Sequence, residues 1–149
     1  MWNNYRMARI IIHEMLMTVN APDTSLISAS LEHCSQFLKS KEIQIRIALG
    51  ICHTVPFFFG FVTESTSGHS DLYKENYAHV AMPGGYLLIW PLYVAGMLQT
   101  NTLEQRAWFA NQLKTIGCNL GVRQAIELSI SLSRDMERSF LSAELWSYE

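Results

Sequence analysis

Charge is scarce in this sequence: 16% of its 149 residues are charged and 49% are hydrophobic, where soluble domains usually carry about a quarter charged. So much apolar material excludes extended disorder, supplies a sizeable core for one domain, and leaves surplus surface for a pocket or a partner. The basic residues are not grouped. Eleven Lys+Arg against thirteen Asp+Glu give a formal net charge of −2, and no block of them can neutralise a row of phosphates, which argues against direct nucleic-acid binding. Cysteine is sparse and odd in number. Cys34, Cys52 and Cys118 are far apart with no C-x-x-C pair, so neither a disulfide framework nor a tetrahedral thiolate zinc site fits, and a reducing intracellular compartment, cytoplasmic or nuclear, is expected. P-loop, dinucleotide glycine, hydrolase-elbow and H-E-x-x-H motifs are all missing; no metal and no cofactor is expected.

Arg6, Arg9 and Glu14 interrupt the region where a signal peptide needs an unbroken apolar run, so no targeting segment is read. Residues 76–103 carry no Asp, Glu, Lys or Arg. Pro83-Gly84-Gly85 and Pro91 divide that stretch into pieces of about a dozen residues, short of the roughly 20 that a membrane span needs, so a buried core helix is expected there.

Apolar spacing predicts an all-α single domain over 1–149, with about five or six helices. Residues 2–19 repeat helically through Trp2, Tyr5, Ala8, Ile12, Met15, Leu16 and Val19, and Ile10 and Ile11 widen the apolar face enough to need cover on two sides. Asn20-Ala21-Pro22-Asp23 stops this helix, and Asp23 caps the next. A second helix spans about 24–54, with Leu26, Ile27, Leu31, Cys34, Phe37 and Leu38 on one face and the i, i+4 set Ile43, Ile47, Ile51 beyond Lys39-Ser40-Lys41-Glu42. Pro56 biases Val55 away from helix, with room for one further turn within the apolar run Val55 to Phe61. Residues 63–85 read as a long loop or lid. A helix over 86–98 follows, apolar all round and kinked at Pro91, whose missing amide frees the Leu87 carbonyl. Thr102-Leu103-Glu104-Gln105 has capping-box form and opens a helix to Leu120 with Trp108, Phe109, Leu113 and Ile116 inside. Gly121 ends it, and 122–146 is a final helix with Ala125, Leu128, Ile130, Leu132, Met136, Phe140 and Leu145 apolar.

Candidate sites are isolated polar and aromatic residues. His13 and Glu14 adjoin in sequence but point about 100° apart on a helix, which suits structural roles better than an acid/base pair. His53, in an uncharged segment, is expected to be partly buried and neutral, either a satisfied core histidine or a group that polarises a carbonyl. Cys52 beside it makes only a weak Cys/His dyad, since helical neighbours face different ways. Tyr86, Trp90 and Tyr93 recur at intervals of four and three on one helix face. They are either core or the wall of an apolar ligand pocket, which Phe58 and the adaptable Met15, Met17, Met82 and Met97 would complete.

Blocks of the sequence resemble a known family. Trp2-Asn3-Asn4-Tyr5-Arg6 with Arg9-Ile10, Ile51-Cys52-His53-Thr54-Val55-Pro56-Phe57-Phe58-Phe59-Gly60, Gly84-Gly85-Tyr86-Leu87-Leu88-Ile89-Trp90-Pro91-Leu92-Tyr93-Val94-Ala95-Gly96, and Arg106-Ala107-Trp108 with Ile116-Gly117 and Gly121-Val122-Arg123-Gln124-Ala125 are similar, in order and spacing, to the carboxy-terminal part of the fungal-specific transcription factor domain. The resemblance implies an all-α fold, a fungal origin and a regulatory region thought in some members to receive small molecules. The family's binuclear zinc cluster and basic DNA-reading segment have no counterpart here, and the chain is shorter than the usual regulatory domain, so DNA binding is not implied. Missing upstream helices imply apolar faces covered by a homodimer partner or left open as a cavity.

Two functions follow. One is a stand-alone regulatory domain that binds an apolar small molecule or a partner without touching DNA. The other is a recruited biosynthetic enzyme, a cofactor-independent cyclase or pericyclase shaping a polyene or terpenoid-like substrate, since holding a reactive conformer supplies the rate. In that reading His53, Tyr86 and His13 are the catalytic candidates, and Trp90, Tyr93, Met97, Phe58 and Met15 bind the ligand.

Overall fold

The computed structural model describes the backbone of residues 2–19, 30–59 and 77–145 and the side chains of 2–19, 34–59 and 84–138. Explicit boundary signals in the sequence are obeyed. The Thr102 hydroxyl accepts from the Gln105 amide while the Gln105 side chain accepts from the Thr102 amide, so two free amides at the start of α5 (Leu103–Leu120) are satisfied reciprocally. Gly121 closes that helix at φ 67, a left-handed conformation costly for any residue with a Cβ. The other helices are α1 (Trp2–Val19), α2 (Ser30–Cys52), the single turn α3 (Val55–Phe58), α4 (Tyr77–Gly96) and α6 (Arg123–Leu145). No strand occurs among the described residues; the fold is all-α.

α4 is the central element, in contact with each of the other helices, while α1 pairs with α2 and α5 with α6 on either side of it. Its Leu88, Ile89, Leu92 and Ala95 are fully enclosed with Ile51 of α2, Phe109, Leu113 and Ile116 of α5, and Ala125 and Leu132 of α6. The helix continues through Pro91, whose ring is buried. It begins at Tyr77, so the stretch expected to be a loop up to Gly85 is helical from that point. The reason lies in packing: a Cβ on Gly84 would meet Phe58 at 2.8 Å and one on Gly85 would meet Leu120 at 3.2 Å, so these glycines admit neighbouring helices instead of starting this one. Segments 20–29 and 60–76, with the expected stop at Asn20 to Asp23, and the side chains of Leu31, Met82, Phe140 and Leu145, lie outside the described residues.

The phase of α1 is the reverse of the one expected from hydrophobic spacing. Trp2, Tyr5, Ile12, Met15, Leu16 and Val19 are exposed, Val19 to 80%, while Asn3 and Ile10 are the buried positions and Arg6, His13 and Met17 are half-buried beside them. α2 likewise leaves Cys34 and Leu38 exposed and buries Ser40, Gln44, Ile47, Ala48 and Ile51. On α6 the inward face is Ala125, Ser129 and Leu132, with Ile130 outside.

Gly117 shows how closely α5 and α6 approach, because an added Cβ would meet Ile126 Cγ1 at 2.5 Å and the Ile126 backbone nitrogen at 3.0 Å. The backbone cannot yield as a side chain can. Gly117→Ala is therefore expected to lower stability by about 2 kcal/mol, as overpacking does, read as a reduced urea midpoint with the helical circular-dichroism signal retained.

Candidate functional site

α2 presents Ile45, Ala48, Leu49 and Cys52 at i, i+3 and i+4 spacing, adjacent to its core positions Ile47 and Ile51. Opposite stand Gln105, Trp108 and Phe109 of α5, and the connection Thr100-Asn101-Thr102 closes one end. Together they line a partly open cleft of about 290 Å³. The connection is held by its own hydrogen bonds. Asn101 Nδ2 donates to the carbonyls of Ala95 at 2.7 Å and Gly96 at 3.2 Å, satisfying free acceptors at the end of α4, and Arg106 donates to the Leu98 carbonyl at 3.2 Å.

Within this arrangement the Thr100 hydroxyl is buried and makes no hydrogen bond to the described protein atoms. A hydroxyl so placed costs on the order of 1–3 kcal/mol unless something bonds to it. Thr102 and Gln105 cap α5 through the Thr102 hydroxyl and the Gln105 side-chain oxygen, and burial pushes the Cys52 thiol up to about 11, so it stays protonated and is a poor nucleophile at neutral pH. Among the described residues no Asp, Glu, Lys, Arg or His lines the cleft.

Of the residues singled out in the sequence, the cleft takes Cys52 and the α5 positions Trp108 and Phe109. The site expected around α4 does not assemble. Tyr86 and Trp90 are exposed, with Trp90 edge-on to the half-buried Tyr93 at 6.1 Å, because the opposite face of α4 is the one that packs into the core. Met97 is exposed in an open groove with Arg106, Leu132 and Asp135, Phe58 is half-buried against Gly84, and Met15 stands on the outer face of α1. His53 is exposed instead of partly buried: α2 ends at Cys52, and Ile51 and Val55 fill the interior on either side of the turn. Thr100, Asn101, Thr102 and Gln105 were passed over as site residues. Their signal is a run of short polar side chains at a capping box one helical turn before Trp108.

His13 and Glu14 serve the seam between α1 and α2. His13 Nδ1 lies 3.3 Å from Ser40 Oγ, and the fully buried Gln44 donates to Glu14 at 2.7 Å and to the Ile10 carbonyl at 3.3 Å. At the other end of the seam Asn3 donates to Thr54 at 2.8 Å and accepts from Arg6 at 3.0 Å. Burial first, then repulsion from Arg9, lowers the His13 pKa from its ordinary 6.5. Protonation therefore opposes folding: stability from neutral His13 is complete above pH 6.5 and is lost as pH falls through 6.5 toward the lowered folded value. His13→Asn, which can still bond Ser40, is expected to flatten the decline in urea midpoint as pH falls below 6.5.

Among the described residues no helix is long and apolar enough to cross a membrane. No family model, no curated protein and no solved structure matches the chain.

Proposed function

We propose that this chain is a ligand-receiving helical module, akin to the carboxy-terminal part of the fungal-specific transcription factor domain. It binds a small apolar molecule in the cleft between α2 and α5 and pairs with a second copy of itself inside the cell, without contacting nucleic acid. The observation that carries the reading is the cleft itself, walled by Ile45, Ala48, Leu49, Cys52, Trp108 and Phe109 and closed at one end by Asn101, Thr102, Gln105 and Thr100, whose buried hydroxyl has no hydrogen-bond partner among the described residues. A mostly apolar lining with a few polar groups at one end matches the composition of small-molecule sites, and 290 Å³ falls just below their range of about 300–1,000 Å³. The ligand is thus small, apolar along most of its length and polar at one end. The cyclase alternative would have to work with the same lining, which among the described residues supplies shape and hydrogen-bonding groups but no ionised group to move a proton.

Octanol is a suitable probe. In a Cys34→Ser, Cys118→Ser protein the remaining thiol, Cys52, lies in the cleft wall, and octanol is expected to slow its alkylation by iodoacetamide at about pH 9.5, where enough thiolate forms to react. Thr100→Val keeps the shape and removes the hydroxyl. It is expected to raise the half-protecting concentration of octanol about tenfold while raising the ligand-free stability by about 1 kcal/mol. An alkylation rate indifferent to octanol refutes the assignment of the cleft.

A further inference from the structure

The outer face of α1 carries Trp2, Tyr5, Ala8, Ile12, Met15, Leu16 and Val19, all exposed, along a helix whose 18 residues span about 27 Å. Trp2 is 66% exposed, Met15 65% and Val19 80%. At these exposures the six large residues of the face leave on the order of 800 Å² of total surface bare, an upper bound on what a partner could cover and comparable to one partner's share of a standard interface. Its two rings are already held in place: Trp2 and Tyr5 lie 5.4 Å apart, with the Arg6 guanidinium 5.9 Å from the Trp2 ring and that of Arg9 5.8 Å from the Tyr5 ring. Fixed aromatic side chains give up little rotamer freedom on binding, which is the property of interface anchors.

The order of residues along this face selects the partner. Its amino-terminal half is aromatic and flanked by arginines; its carboxy-terminal half is aliphatic and carries Met15. We infer that it pairs with the same face of a second copy, the two α1 helices antiparallel about a two-fold axis beside Ala8 and Ile12. In that register Trp2 meets the small Val19, Tyr5 meets Leu16 and Met15, and Ala8 admits Ile12, so large groups lie on small ones and the thioether on a ring. Parallel pairing would instead stack Trp2 on Trp2, bring both copies of Arg6 and of Arg9 together and align the helix dipoles. This inference rests on the self-pairing in the proposed function and assigns it a surface.

Sedimentation velocity in reducing buffer, which keeps the exposed Cys34 and Cys118 from cross-linking, is expected to give twice the 17.0 kDa chain mass at on the order of 10 µM. Ile12→Glu with Met15→Glu changes only exposed positions. It is expected to give 17.0 kDa particles with unchanged circular dichroism and a dimer dissociation constant raised at least a hundredfold, whereas Trp90→Glu on the outer face of α4 leaves the dimer intact. In the Cys34→Ser, Cys118→Ser background, Tyr5→Cys alone is expected to remain unlinked on oxidation and to link when mixed with Leu16→Cys. A wild-type chain that is monomeric at this concentration defeats both the inference and the self-pairing. A dimer that survives the double glutamate, that dissociates with Trp90→Glu, or that links through Tyr5→Cys alone defeats the α1 assignment and spares the pairing. Co-sedimentation of a monomeric wild type with phosphatidylglycerol vesicles, abolished by the double glutamate, assigns the face to a lipid surface and overturns the inference.

Discussion

The polar seam between α1 and α2 sets the rest of the arrangement. Asn3 reaches Thr54, His13 reaches Ser40, and Gln44 reaches both Glu14 and the Ile10 carbonyl. Each such bond contributes about 1 kcal/mol net, yet removing one partner leaves a buried polar group that costs more than the bond gave. Spread along the helix at positions 3, 10, 13 and 14, these groups allow α1 one rotational setting. Rotating the apolar stripe inward would carry the seam's hydrogen-bonding groups out and strand Gln44, which is 0% exposed. Keeping those bonds is what leaves Trp2, Tyr5, Ile12, Met15, Leu16 and Val19 on the outside.

The cleft follows from the same constraint. With α2 committed to α1 and α4, and α5 to α4 and α6, the flank of α2 at Ile45, Ala48, Leu49 and Cys52 faces α5 without packing closely onto it. The connection after α4 then closes the end of that wedge. Asn101 Nδ2 and one terminal nitrogen of Arg106 donate to carbonyls at the end of α4 and in the connection itself, which stiffens the segment and holds Thr100 where no described protein atom bonds its hydroxyl. A floppy connection would have let that hydroxyl turn to water.

Legibility in the sequence divides along the same line. Features decided within a few residues read correctly: the capping box at Thr102, the left-handed stop at Gly121, and the helical set Ile43, Ile47, Ile51 despite its β-branched side chains. Features decided by which neighbour arrives did not. Hydrophobic periodicity reports which face of α1 is apolar, and burial was inferred from it; the buried face proved to be the polar one because Ser40, Gln44 and Thr54 supply partners from residues distant in sequence. Gly84 and Gly85 signal a helix start to local reasoning and serve as contact points for Phe58 and Leu120. Tyr86, Trp90 and Tyr93 do share a face, as their spacing requires, but only the packing of Leu88, Ile89, Leu92 and Ala95 determines that this face looks outward. The cleft joins residues 45–52 to 100–109, a juxtaposition no single segment encodes.

Low charge in this chain is therefore not the mark of an outsized core. Among the described residues the interior is filled by isoleucine, leucine, alanine, Val55, Pro91 and one phenylalanine, while the described tryptophans Trp2, Trp90 and Trp108 are 66%, 48% and 38% exposed. Tryptophan carries the largest apolar surface of any side chain, so a sequence folding only for stability gains most by enclosing it. Here each stands at a surface of different character: Trp2 on the outer stripe of α1, Trp90 on the outer face of α4, and Trp108 on the wall of the cleft. The tryptophan of the cleft is the one that shares its site with an unpartnered hydroxyl, and that of α1 is the one braced by an arginine. The first pairing suits a small molecule with one polar end; the second suits a broad face that must already be in shape when another helix meets it.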